Sequence, residues 1–156
     1  MKYFVKSKWG GVAPEIRISD EEDKLLYSLK SKRLITLRNS FVFRDAEDQV
    51  KLTSRQRTTL FLPQYNLYEG DDVVAKVGTF EPSKYYVDLN NMPRMEFHMT
   101  GLRKKEWTIS DKDGVVAVIH PELKKWRWAI EIMPSRDSMH MLACMALLYN
   151  EIMQQG

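Results

Sequence analysis

The feature that most constrains this chain is an apolar run near its C-terminus, residues 139–149, with the sequence MHMLACMALLY. A surface helix carries one apolar stripe, whereas a helix that is apolar on all sides is buried in protein or spans a membrane. A membrane-spanning helix needs about twenty residues, and this run is about half that long. The run therefore predicts a buried helix over residues 137–153, with Ser135 or Asp137 as its N-cap.

The residues before this run alternate between apolar and polar side chains in short segments, as Met95, Phe97 and Met99 do around Glu96 and His98. Such period-two alternation is typical of a strand with one buried face. It also places Trp126 and Trp128 together on the buried face of the last strand. The pattern predicts about a dozen strands, at residues 2–7, 15–19, 24–30, 41–44, 49–53, 64–68, 73–79, 84–89, 94–100, 105–110, 115–119 and 126–133.

Acidic turns recur between pairs of strands, in the sequences SDEED (19–23), RDAED (44–48), EGDD (69–72) and SDKDG (110–114). Aspartate and glycine suit tight turns because aspartate bonds its own backbone and glycine accepts a positive φ. The copies start roughly 20 to 25 residues apart where they are adjacent, the length of one hairpin plus its connection. The sequence therefore predicts a repeated antiparallel hairpin.

Closing about a dozen strands into a ring encloses more volume than their own side chains fill, since about eight strands already suffice for that. The buried helix is the element that would occupy this space. The chain of 156 residues also suits a single domain with a sizeable core. We therefore expect one mainly β domain over residues 1–156, a closed antiparallel barrel with strands within 2–133 wrapped around the C-terminal helix.

This arrangement resembles the LURP-one-related proteins of the tubby C-terminal-like superfamily, which also includes the phospholipid scramblases, and the likeness is to small prokaryotic members. The matching segments are YNLYEGDDVVAKV (65–77), WTISDKDGVVAVI (107–119) and the helix 137–153. The resemblance implies a twelve-stranded tubby-like barrel around a central hydrophobic helix. Tubby domains bind phosphoinositides through surface Lys and Arg, but no specific tubby ligand motif matches here. The calcium-site and cysteine-rich segments of the scramblases are also missing, so scrambling is not implied.

The acidic and basic residues are distributed according to the order of the hairpins. Successive connections of an up-and-down barrel alternate between its two ends, so the four acidic turns should share one end and basic residues should gather at the other. This predicts a charge-polarised barrel in spite of a net charge of only +3. The candidate residues for binding an anionic headgroup at the basic end are Lys30, Lys32, Arg33, Arg103, Lys104, Lys105, Lys124, Lys125 and Arg127.

Three functional hypotheses follow for a non-enzymatic binding or scaffold protein. The first is contact of the basic end with anionic phospholipid or phosphoinositide headgroups, or with an acidic protein, and an exposed aromatic such as Trp9 or Phe61 would favour it. Charged loops that serve only solubility are the plainer interpretation. The second hypothesis is a carrier that holds a small apolar ligand beside the methionine-rich helix, although methionines more often fill cores. The third is a protein–protein interaction module.

Several other classes find no support in the sequence. The small net charge does not favour a nucleic-acid partner. Lys2 and Lys6 interrupt what would be a signal peptide, so we expect a cytoplasmic protein, at most peripheral to the membrane, with no transmembrane segment.

The turn at 111–114 lacks the bidentate glutamate of an EF-hand calcium loop. His140 lies one helical turn from Cys144, the one cysteine, but a buried thiol is usually inert. No nucleophile or phosphate-binding motif occurs, so we expect no enzyme, metal or cofactor.

Overall fold

Twelve antiparallel strands close into a barrel in the structure, a computed structural model that describes residues 1–8, 15–32, 40–57, 64–81, 84–100 and 106–155. Each strand pairs with its neighbours in sequence, and β1 pairs with β12 to close the ring. The predicted fold class is therefore confirmed. The elements are β1 Lys2–Lys8, β2 Glu15–Ser19, β3 Leu25–Lys32, β4 Ser40–Asp45, β5 Val50–Gln56, β6 Gln64–Glu69, β7 Asp72–Glu81, β8 Lys84–Leu89, β9 Met95–Thr100, β10 Glu106–Asp111, β11 Gly114–Glu122, β12 Arg127–Ile132 and the helix α1 Met139–Gln155.

Helix α1 lies inside the barrel. Its residues 141–148 are at most 2% exposed, which is the all-round burial that its sequence predicts. Tyr149 reaches the β1–β12 side, where its hydroxyl lies 3.2 Å from Ser7 Oγ and its ring meets Trp128 edge-on. On another side, Tyr65 of β6 donates a hydrogen bond to the carboxylate of Glu151. Contacts with strands on different sides of the ring place the helix at the centre.

The helix begins two residues later than the sequence predicts, because a short 3-10 turn, Pro134–Arg136, follows β12. Ser138 is the cap, since its Oγ accepts a hydrogen bond of 3.1 Å from the backbone N of Met141. The prediction of Ser135 or Asp137 as the cap was wrong. Asp137 instead accepts a hydrogen bond of 2.8 Å from the hydroxyl of Tyr3, which ties the entry of the helix to β1.

Three of the four acidic turns are held by an aspartate at their start. Asp45 Oδ1 accepts hydrogen bonds of 3.0 and 2.9 Å from the backbone N of Glu47 and Gln49. Asp20 makes the equivalent pair with the residues two and four positions further on, and Asp111 makes the first of the two. The carboxylates therefore stabilise the turns themselves, as local aspartate bonding predicts.

Candidate functional site

The barrel has two ends of different charge. Because the strands are antiparallel and follow one another in sequence order around the ring, successive connections alternate between the ends. The four acidic turns thus lie together at what we call the acidic end. The β11–β12 connection lies at the opposite, basic end, where Lys30, Lys124 and Lys125 are exposed. The sequence-predicted gathering of the acidic turns at one end is present in the structure.

The predicted headgroup-binding residues divide into three groups. Lys30, Lys124 and Lys125 are exposed at the basic end. Lys32 ends β3 there, and Arg127 begins β12 there but has a side chain only 12% exposed. The others lie outside the described residues, as do the aromatic candidates Trp9 and Phe61; these are Arg33, Arg103, Lys104 and Lys105.

The β11–β12 connection, residues 122–127, is the best-defined part of the basic end, and we call it the basic hairpin. Its residues Leu123–Lys125 form one 3-10 turn. Trp126 follows with φ 54° and ψ 42°, a left-handed conformation that is rare for a side chain of this size. The side chain of Trp126 is 92% exposed. The hairpin therefore presents an aromatic ring and two lysines to solvent.

A cluster on the outer face of the barrel holds the basic hairpin in place. Arg127 Nε donates a hydrogen bond of 2.8 Å to Glu122 Oε2, and the guanidinium carbon of Arg127 lies 3.5 Å from the centre of the Phe4 ring. The hydrogen bond from Arg127, aided by the nearby charge of Lys2, lowers the pKa of the Glu122 carboxyl. These contacts join the two ends of the hairpin and fasten both to β1. Arg127 thus has its charge matched by Glu122 and acts as a brace.

Trp126 corrects the sequence-based prediction. Alternation placed both Trp126 and Trp128 on the inner face of a strand 126–133, and Trp128 does pack against Tyr149 inside the barrel. The left-handed backbone at Trp126, however, keeps this residue out of the strand, so β12 and its alternation begin at Arg127. The flanking charges of Lys125 and Arg127 gave no warning, because alternation also gives buried aromatics charged neighbours, as Glu96 and His98 are to the buried Phe97.

The described interior leaves little room for a carried ligand. A cavity of about 10 Å³ lies between Ala143 and Leu147 of α1 and the wall that includes Phe41, Leu52 and Leu67. A void of that size holds about one water molecule. Met141 and Met145, which could have formed an adaptable pocket, are fully buried in the core. Within the part of the chain that the structure describes, the helix and the strand side chains pack together directly.

The histidine and the cysteine of α1 lie in different environments, one beside a carboxylate and the other in the apolar core. His140 Nε2 lies 2.7 Å from Glu69 Oε2 at the acidic end. Cys144 has no exposed surface, and this burial raises the pKa of its thiol well above the ordinary value. A nucleophilic cysteine needs a lowered thiol pKa and access to a substrate. Among the described residues, no group of three or more His, Cys, Asp or Glu side chains is arranged to hold a metal ion.

Comparison with known proteins gives one family and one solved structure. The sequence model of the LURP-one-related family matches residues 1–149, whereas the search of curated proteins found no match. An X-ray structure of a protein from Arabidopsis thaliana superimposes with a TM-score of 0.65, covering 97% of this chain and 91% of that chain at 15% sequence identity. At this identity, the likeness concerns the fold.

Helix α1 is the longest helix of the described ranges, and none of the helices there is both long and apolar enough to cross a bilayer. The closed barrel around α1 is also the architecture that the resemblance to LURP-one-related proteins implied. With a family match that extends from the first residue into the central helix, the chain belongs to the LURP-one-related family.

Proposed function

We propose that this protein is a non-catalytic binding module that docks its basic end on anionic phospholipid headgroups. The observation that carries the proposal is the pair Lys124 and Lys125, exposed side by side on a braced hairpin at the end opposite the acidic turns. Each lysine close to an anionic membrane contributes about 1 kcal/mol of binding free energy. Lys30, exposed at the same end, adds to this attraction.

The separation of the two ends is large enough for the acidic turns not to oppose this binding. A strand of six residues, such as β10, spans roughly 20 Å along its own direction and about 15 Å along the axis of a tilted barrel. The Debye length is about 8 Å at physiological ionic strength. Repulsion between the membrane and the acidic end is therefore largely screened, while lysines in contact with the headgroups are not. The polarity also orients the bound molecule.

The test is vesicle co-sedimentation with Lys124→Gln/Lys125→Gln, using phosphatidylcholine vesicles with and without phosphatidylserine. We expect the wild-type protein to bind the anionic vesicles in a salt-sensitive manner. Loss of two lysines should weaken this binding by about 2 kcal/mol, or roughly 30-fold. Binding to neutral vesicles should be weak for both proteins.

The matched control is Lys24→Gln/Lys112→Gln, which removes the same charge from exposed lysines of the acidic end. We expect this variant to bind anionic vesicles within about threefold of the wild type, because those lysines lie beyond the Debye length from the docked surface. An equal loss in both variants would mean that net charge alone decides, and would contradict docking through the basic end. Absence of wild-type binding at every salt concentration would mean that the charged ends serve solubility.

The proposal gives the protein no catalytic role. Its support is that the buried thiol of Cys144 and the side chain of His140, which contacts Glu69, do not form a nucleophile–base pair. The carrier alternative is less favoured, because the cavity between the helix and the strands near Ala143 and Leu147 measures only about 10 Å³.

A further inference from the structure

The exposure of Trp126 is the feature of the basic hairpin that charge does not explain. Five large hydrophobic side chains are exposed among the described residues: Met1, Val50, Val115, Trp126 and Met133. Four of them lie at the acidic end by the strand order, and only Trp126 lies at the basic end. At 92% exposure it is also the most exposed of the five. Trp126 therefore brings an apolar surface to the end that carries the lysines.

The position of Trp126 is defined by the fold. Its left-handed backbone conformation, φ 54°, is one that a residue with a large side chain adopts at an energetic cost, and such outliers gather at functional sites. On its C-terminal side, Arg127 is fixed by Glu122 and by the ring of Phe4. On its N-terminal side, Lys125 ends the 3-10 turn. The indole ring is thus held outward from a braced hairpin.

We infer that Trp126 is a membrane anchor, whose indole ring enters the interfacial layer of a bilayer while Lys124 and Lys125 contact the phosphates above it. Tryptophan is enriched at the level of lipid headgroups, because its ring is apolar and its N–H needs a polar partner. Lysine chains place their amines at the same level while their stems remain in apolar surroundings. This inference rests on the proposed docking of the basic end and adds an apolar contribution to it.

The apolar anchor identifies the partner as a bilayer, in preference to a free anionic headgroup. A soluble phosphate compound offers charge to Lys124 and Lys125 but no apolar layer for the ring of Trp126. A protein partner could also bury an exposed tryptophan, since tryptophan is enriched at binding hot spots. Lysine, however, is depleted from the cores of protein interfaces, and two lysines immediately precede Trp126. The combination favours lipid.

The experiment compares Trp126→Ala and Trp126→Phe with the wild type on phosphatidylcholine–phosphatidylserine vesicles at low and high salt. Removal of the ring should weaken binding about tenfold at both salt concentrations, because it removes burial of an apolar side chain. Phenylalanine should restore most of the affinity. Acyl chains brominated near the headgroup should quench the tryptophan fluorescence of the wild type more than that of Trp126→Phe.

Two controls separate the anchor from other effects. Met133→Ala removes an exposed apolar side chain at the acidic end and should leave vesicle binding unchanged. Binding of soluble inositol trisphosphate, which has no acyl chains, should be the same for the wild type and Trp126→Ala. A drop in that soluble binding would overturn the inference, because the ring would then be contacting the anion itself.

The failure of the inference and the failure of the proposed function give different results. If the wild type binds anionic vesicles, Lys124→Gln/Lys125→Gln weakens the binding and Trp126→Ala does not, docking stands and the anchor is wrong. If the wild type does not bind vesicles at all, both are wrong, and a protein partner for Trp126 becomes the better interpretation. Because Trp126 is exposed, Trp126→Ala and Trp126→Phe should unfold at the same urea concentration as the wild type.

Discussion

Replacing Met145 by alanine should lower the free energy of unfolding by about 2–5 kcal/mol, a large part of the 5–15 kcal/mol that is typical of a whole domain. Met145 has no exposed surface and lies near the middle of α1. The truncation removes buried apolar atoms and leaves a cavity that a closed ring of strands cannot easily collapse to fill. Urea denaturation followed by circular dichroism measures the change.

The matched control for this prediction is Met133→Ala, because Met133 is 48% exposed and lies just after β12. The same substitution there should change the free energy of unfolding by no more than about 0.5 kcal/mol. The difference between the two variants isolates the contribution of burial inside the barrel. Equal small losses in both would show that α1 is not packed against the strands as the structure has it.

The fold was predictable because two sequence patterns together leave few architectures that satisfy both. The run 139–149 is apolar on all sides and too short to span a membrane, so it must be covered by other elements of the fold. The segments before it alternate with period two, as Phe41 and Phe43 do, and both of those rings are buried in the core. A helix that needs covering on every side and strands with one apolar face each are satisfied together by a barrel.

The ends of the strands were harder to predict, because local backbone geometry decides them. Strand β11 continues through Pro121 to Glu122, three residues beyond the prediction, although proline lacks an N–H for a sheet ladder. In the described residues, β10 pairs with β11 only as far as Trp107 and Ile119. Pro121 lies opposite Trp128 of β12, so the strand continues through a residue that, judged from the sequence, ends it.

The candidate site was predictable in its charge and not in its geometry. The lysines 124 and 125 are adjacent in sequence, and strand alternation places their connection at the basic end. The brace depends on Phe4 meeting Arg127 across the closure of the barrel, a contact between residues far apart in the chain. No local pattern encodes such a contact. The outward position of Trp126 follows from its backbone conformation, which period-two alternation does not contain.

Alkaline pH should destabilise the protein partly through the single buried thiol. Burial raises the pKa of Cys144 far above its ordinary value of 9.0, so the folded protein keeps a proton that the unfolded chain releases. The stabilisation is complete below pH 9.0 and is lost as the pH rises above that value. Burial, as the largest cause, also raises the pKa values of Tyr3, Tyr86 and Tyr149, which adds to the loss from about pH 10 upward.

The contribution of Cys144 can be separated by comparing the wild type with Cys144→Ala at two pH values. Alanine fits the apolar surroundings and does not ionise, while the tyrosines titrate in both proteins. Between about pH 8 and about pH 10.5, the wild type should lose about 2 kcal/mol more unfolding free energy than the variant, since each unit above the unfolded pKa contributes about 1.4 kcal/mol.

Urea denaturation in the presence of a reductant measures this difference. The variant itself should be less stable than the wild type at about pH 8 by about 1 kcal/mol, because it lacks the buried sulfur atom, so the two proteins should converge and then exchange order as the pH rises. Such a crossing requires that the thiol is protonated in the folded state and ionised in the unfolded state. Parallel losses in the two proteins would place Cys144 in contact with water, which contradicts a helix enclosed by the barrel.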